Sequence, residues 1–505
     1  MQKKSFEPAT IFLFLILFTI LISFVGNLFN WQATYDKINL ITGSKESVLV
    51  TIENLLSIQG LQYLISSATK NFATFAPLVS VIVGFIGIGI IEKSGLFHAV
   101  FGRLKEAPLR TITFFIILFS VISSLFNEVG YVIIMPLAAL IFLLVGRNPI
   151  AGIIASFMGI TGGSSINLFV SALDFNLSTY TDYAAKIIDS SYSVSANSNW
   201  YLIILATILI ATAATVITET WVIPRLGEYK MLEELEVNNE VLVNRGLKYS
   251  LMATTLFLIL IVYLIVPNIP GSGLLLDKSE KLYLNQLFGY NSYFNQGITF
   301  IASSFLVIAG LFYGIGAKTI KNDKDFFAAA NNSMKDISRI LVLMFFVAQF
   351  LSIFKKSNIG MLINIQLVNL IGELKFTGIA LVFLIFIFAA IGNLFITSTT
   401  IKWSIFAPVV IPLAMISNIT PEYTQAIFRA GDSVTKGLTP LLAYFVIFIA
   451  LVQKYNIKAL KETSFSKTIK MIIPYNIAFF AVWIIILVSW YFIGLPIGPN
   501  VYPNL

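Results

Sequence analysis

Residues 402–440 read KWSIFAPVVIPLAMISNITPEYTQAIFRAGDSVTKGLTP: a proline-punctuated apolar run, then a second run that carries Arg429 and Asp432 and ends in a Gly-Ser-Thr break. A stretch 272 residues earlier has the same punctuation. Pro136, Pro149 and Gly159 stand where the later copy has Pro408, Pro421 and Gly431; Tyr131 falls on Trp403 and Phe114 on Phe386. Each copy has a proline, a second proline thirteen residues on, and a glycine ten residues after that. Both residue types interrupt or reshape helices, so their recurrence at one fixed offset reads as an internal structural repeat.

The rest of the chain supplies the solvent for that repeat. Of 505 residues, 57% are hydrophobic and 11% charged, with a mean hydropathy of +0.86. A water-soluble chain carries roughly 25% charge, so a bilayer must replace much of the water. At about 20 apolar residues per crossing there is room for about ten spans, and the whole of 1–505 reads as one polytopic membrane domain. Cysteine is absent and His98 is the single histidine. That excludes thiolate chemistry, disulfides and histidine-built metal sites. An enzyme would be left with unsupported Ser or Asp schemes, so no catalytic residue is expected. The net charge of +8 belongs to no soluble basic domain, so it reads as the cytoplasmic bias of membrane proteins and not as nucleic-acid binding.

The basic residues set the topology. After Met1-Gln2-Lys3-Lys4, the uncharged run Ala9 to Phe29 is too long for a signal peptide and reads as a retained first span with a cytoplasmic N-terminus. Lys93, Arg103, Lys105, Arg110 and Arg147 form one cytoplasmic group; Arg225 to Lys248, Lys318 to Arg339 and Lys454 to Lys470 form three more. Since Arg110 and Arg147 share a side, 111–146 must enter and return as a re-entrant hairpin with its tip at Asn127-Glu128-Val129-Gly130. By the same counting 376–416 is a second hairpin, entering from outside, with its tip near Asn393 to Trp403. Each hairpin is followed by a helix expected to break, at Gly159–Ser165 and at Gly431–Gly437, so the two units are 110–172 and 376–453. Nine crossings remain, five of them between the copies. The copies are therefore inverted and the C-terminus is outside. An all-α transporter of about nine transmembrane helices plus two re-entrant hairpins is the expected fold. Inverted repeats of interrupted helices hold a substrate near the bilayer midplane.

Arg429 and Asp432 each cost about 2.5–3.5 kcal/mol at mid-bilayer. Spaced i, i+3, they can close into an ion pair; alternatively Arg429 meets a substrate carboxylate, with Asp432 orienting it or taking a coupling proton. Trp403 at the second tip reads as a stacking face for a planar ligand, with Lys402 and Thr400 as polar neighbours. Glu128 is a candidate proton carrier, and Asp174 either caps a helix or joins the site.

These stretches also carry a resemblance. IEKSGLF at 91–97, NEVGYVIIMPLAALIF at 127–142, GRNPIAGI at 146–153, ETWVIPRLGEY at 219–229, LFYGIGAKTIKNDKDF at 311–326 and residues 402–440 together resemble the p-aminobenzoyl-glutamate transporter (AbgT) family over nearly the whole chain. The resemblance implies nine spans, two hairpins and a homodimer in a bacterial inner membrane. It also implies import of p-aminobenzoyl-glutamate, or export of it and of sulfonamides. It places functional residues at Asp174, Thr400, Trp403, Pro421, Arg429 and Asp432, with Glu128 where the family often has Asp.

The expected function is therefore gradient-driven transport of an aromatic or glutamate-bearing anion, without an organic cofactor. The coupling ion is H+, through Asp174, Glu128 and Asp432, or Na+, bound by hairpin carbonyls with Ser164, Asn127 or Asn393. A dicarboxylate or other organic-anion carrier is the alternative, and a passive channel would share the topology.

Overall fold

A computed structural model of the chain describes residues 7–39, 42–126, 128–229, 240–289, 291–335, 338–456 and 465–505. Asn127, named above as an ion ligand, lies outside them, as do the basic residues at 3, 4, 230, 458 and 461. Among the described residues eight helices are long and apolar enough to cross a membrane, or nine if one bent pair counts as a span. Two of the eight, Leu109–Phe126 and Thr399–Ile416, are hairpin arms. Their partners Gly130–Leu144 and Gly378–Asn393 are shorter. At about 1.5 Å per residue such arms fall short of a hydrocarbon core about 30 Å thick. Helices Pro8–Leu28 and Glu240–Ile265 expose Phe14, Leu17, Phe18, Leu251 and Leu256 at more than half of their surface, which lipid tolerates and water does not.

One element departs from the all-helical expectation. Gln32–Ile38 and Lys45–Thr51 pair antiparallel, from Gln32 opposite Thr51 to Ile38 opposite Lys45. The strand pair covers the ends of helices Ile359–Leu374 and Thr399–Ile416.

Both hairpins form. The first runs Leu109–Ile122, tightens through Ser123–Phe126, and resumes as a π turn at Gly130–Ile134 and the helix Met135–Leu144. Its base is clamped: Arg147 Nη1 and Nη2 meet the Glu219 carboxylate at 2.5 and 2.9 Å, and Thr113 Oγ1 donates to the same carboxylate at 2.6 Å. The second runs Gly378–Asn393, leaves helix over 394–398, and returns as Thr399–Ile416, where Ser398 Oγ accepts from Ile401 N–H. Trp403 is thus a full turn inside the returning helix, not at the tip.

The helix after each hairpin also breaks, but later than the glycines suggested. Pro149–Gly162 is continuous through Gly159, tightens at Gly163–Ser165, and becomes extended at Ile166 before Ala172–Ala185 begins. Pro421–Thr435 is continuous through Gly431, tightens at Lys436–Leu438, and restarts at Phe445–Asn456. The two glycines serve packing instead. A Cβ on Gly159 would press on Ser120 Cβ at 2.8 Å and Ile117 O at 3.0 Å, and one on Gly431 would press on Phe386 O and on Ala389 Cβ at 2.8 Å. Each glycine therefore lets the first arm of its own hairpin cross at backbone distance. A C-terminal segment steadies the second copy: Thr420, which caps Pro421–Thr435, donates its N–H to Pro503 O at 2.9 Å and its hydroxyl to Tyr502 O at 2.7 Å.

Candidate functional site

All four interruptions meet at one cavity of about 460 Å³. Hairpin 1 supplies Ser124, Glu128 and Tyr131; the first broken helix supplies Ser164, Ser165, Asn167 and Ser171; hairpin 2 supplies Thr397, Ser398 and Thr399; the second broken helix supplies Arg429, Lys436 and Tyr444. The reason is geometric. Half-helices end where the chain leaves regular hydrogen bonding, and freed backbone groups at membrane depth are tolerated only when buried in protein or lining a cavity.

Arg429 and Asp432 do not pair with each other. Arg429, 3% exposed, gives Nη1 to Asp174 Oδ1 at 2.5 Å and Nε to Ser165 O at 2.9 Å. Asp174 is shared: its Oδ2 accepts from Ser171 N–H and Oγ at 2.7 and 2.6 Å, closing a capping box on Ala172–Ala185. Asp174 thus caps its helix with one oxygen and pairs with Arg429 through the other. Asp432, fully buried, accepts from Lys402 on Oδ1, and from Thr399 Oγ1 at 2.6 Å and Ser165 Oγ at 3.0 Å on Oδ2. Asn393 completes this knot, giving Nδ2 to the Asp432 carbonyl at 2.7 Å and accepting from Lys402. Two charges in low dielectric are tolerable only when paired and fully hydrogen-bonded; both pairs meet that condition, and Ser165 ties one to the other.

Other expected residues fall elsewhere. Trp403 is fully buried: its indole N–H donates to Thr181 Oγ1 at 2.9 Å and its ring packs on Phe428 at 4.6 Å between centroids. It is a packing and anchoring residue here and not a cavity wall. Thr400 is half-buried, while the hydroxyls that hairpin 2 gives to the cavity are Thr397, Ser398 and Thr399. Pro421 opens its helix two turns from Arg429, about 12 Å by helix rise. Ser164 lines the cavity with its hydroxyl oxygen buried and unbonded, whereas Asn393 is consumed by the Lys402–Asp432 knot. Glu128 lines the cavity and accepts from Thr299 Oγ1 at 3.1 Å and Ser80 Oγ at 3.3 Å, which ties the first hairpin tip to helices Tyr293–Ala317 and Ala76–Ser94.

Five participants escaped the sequence reading. Ser165 and Thr399 are short hydroxyls whose partners lie 267 and 33 residues away, so nothing local marks them. Tyr131 and Tyr444 stack at 5.0 Å with planes 8° apart and both line the cavity. Lys436 carried a usable signal, a lone cation in the otherwise apolar run after Asp432.

Comparison with known proteins gives the family. Residues 3–505 match the model of the AbgT putative transporter family. The p-aminobenzoyl-glutamate transport protein of Escherichia coli K12 is 30% identical over 458 residues, 90% of this chain and 88% of that protein. The Alcanivorax borkumensis YdaH transporter, whose crystal structure is described as having an unusual topology, is 32% identical, covering 97% of this chain and 100% of that one with a TM-score of 0.48. Neisseria gonorrhoeae MtrF, described as illuminating a class of antimetabolite efflux pumps, is 30% identical, covering 99% and 98% with a TM-score of 0.49. A match running from end to end leaves one assignment: the chain is a membrane transporter and belongs to the AbgT family.

Proposed function

We propose that the chain is a secondary active transporter of p-aminobenzoyl-glutamate or a related aromatic, glutamate-bearing anion, working by alternating access and driven by a proton or sodium gradient. The observation that carries the reading is the single cavity where two hairpin tips and two helix breaks meet, holding cations, hydroxyls and a stacked tyrosine pair. At about 460 Å³ it lies within the roughly 300–1,000 Å³ of small-molecule sites. The E. coli relative is named for the same substrate. We place the chain in the bacterial inner membrane as a homodimer, N-terminus inside and C-terminus outside.

Uptake of labelled p-aminobenzoyl-glutamate into proteoliposomes tests this, under a proton gradient and a sodium gradient imposed separately. Accumulation under one of them is expected, with succinate failing to compete. Flux indifferent to both gradients sinks the coupled carrier, and competition by succinate moves the assignment to a dicarboxylate carrier. Arg429→Ala should abolish uptake while purified protein remains folded.

A further inference from the structure

The charges around the cavity divide into used and unused. Arg429 is neutralised by Asp174 and Lys402 by Asp432. Lys436 also lines the cavity, half-buried; its ammonium closes no ion pair or hydrogen bond among the described residues, and its charge acts on Asp432 and Lys402 without contact. On the wall built by hairpin 1, Glu128 is a carboxylate with no cationic partner among the described residues; it is held by the hydroxyls of Ser80 and Thr299 and interacts with that of Tyr444. A carboxylate offers about four acceptor positions, so it can take a further donor. The cavity is thus bipolar, with one cation and one anion that close no ion pair among the described residues. The stacked pair of Tyr131 and Tyr444 lies beside the anion.

Resting on the transport function proposed above, we propose that this cavity reads its ligand at both ends. Lys436 binds the carboxylate end, Glu128 accepts from the aromatic amino group, and the stacked pair of Tyr131 and Tyr444 offers an aromatic face to the ring. Arg429, already matched by Asp174, shapes the site and supplies no free charge to it. The ligand so held is the one proposed above, a 4-aminophenyl ring joined through a short linker to an anionic tail. A 4-aminophenyl compound without the tail engages only the Glu128 end. An unpaired ammonium facing a carboxylate gains a charge-assisted hydrogen bond, and so does a carboxylate facing an aryl amine.

The test is a binding titration on purified full-length protein with three ligands: p-aminobenzoyl-glutamate, benzoyl-glutamate, which lacks the amine, and sulfanilamide, which lacks the anionic tail. Wild type should prefer p-aminobenzoyl-glutamate over benzoyl-glutamate by about tenfold, the scale of one charged hydrogen bond. Lys436→Gln should weaken both glutamate ligands by about tenfold or more and leave sulfanilamide unchanged, with Lys436→Arg restoring them. Glu128→Gln should erase the preference for the amine without weakening benzoyl-glutamate. Wild-type affinity for p-aminobenzoyl-glutamate in Lys436→Gln, or a preserved amine preference in Glu128→Gln, overturns the assignment while leaving the transport reading standing. Failure of wild type to bind any of the three overturns both.

Discussion

The two hairpin-plus-broken-helix units share a backbone plan and divide the chemistry. Gly159 and Gly431, 272 residues apart, each admit the first arm of their own hairpin at backbone distance. At the same offset, however, Arg429 falls on Phe157, Asp432 on Ile160 and Lys402 on Gly130. The contact that is a buried lysine–aspartate pair in the second unit is glycine against isoleucine in the first, where a Cβ on Gly130 would meet Ile160 Cγ1 at 3.2 Å. Trp403 packs on Phe428 as Tyr131 approaches Phe157, yet Tyr131 lines the cavity and Trp403 does not. At these three positions one copy makes apolar contacts and the other carries charge. Repetition conserves geometry; function resides in where the copies differ.

That contrast can be broken at its strongest point first. Asp432→Ala leaves Lys402 buried and uncompensated, which should cost about 3–5 kcal/mol. Thermal unfolding of the purified protein should show it, and Lys402→Met combined with Asp432→Leu should recover most of the stability without recovering uptake. Ile160→Ala, the corresponding change in the first copy, leaves no charge exposed; a loss as large as that of Asp432→Ala would erase the distinction.

Smaller effects sharpen it. Gly431→Ala drives a methyl into the Phe386 carbonyl, whereas Gly159→Ala meets first the side chain of Ser120. Overpacking costs about 1–3 kcal/mol, and the second copy should stand at the upper end when the two variants are melted side by side. Arg147→Met removes the clamp at the base of hairpin 1, which among the described residues has no counterpart at the base of hairpin 2. The loss should be about 2 kcal/mol, as for hydrogen bonds to charged groups; protease cleavage near residues 144–149 should accelerate. Trp403→Phe keeps the contact with Phe428 and loses the bond to Thr181, for about 1 kcal/mol and unchanged ligand affinity. Tyr131→Leu should do the opposite and weaken p-aminobenzoyl-glutamate in a titration, since its ring lines the cavity.

Much of the fold was legible because membrane insertion is governed by run length, charge and breakers, all of which are local. Arg110 and Arg147 alone require 111–146 to turn back, and Pro149 and Pro421 sit at the helix starts that their chemistry favours. Of the site, the buried charge of Arg429 and Asp432 was legible and its pairing was not. Arg429 and Asp432 are neighbours on one helix, but their partners Asp174 and Lys402 arrive from elements 255 and 30 residues away. No spacing rule reports which distant carboxylate a buried cation will choose. The breaks were misplaced by several residues for a related reason: glycine marks close approach as readily as it marks unwinding, and only the crossing arm tells which.

The knotted charges have an electrical consequence. Around the cavity three cations, Lys402, Arg429 and Lys436, stand with three anions, Glu128, Asp174 and Asp432. One elementary charge carried through 100 mV costs about 2.3 kcal/mol, so a vacant site with matched charges can swing between faces almost indifferent to voltage. The membrane potential would then act on the loaded journey alone, where the cargo and its companion ion set the current. Capacitance recordings on supported membranes should find little charge displacement before substrate is added; a large substrate-free transient would mean the vacant protein carries net charge as it turns.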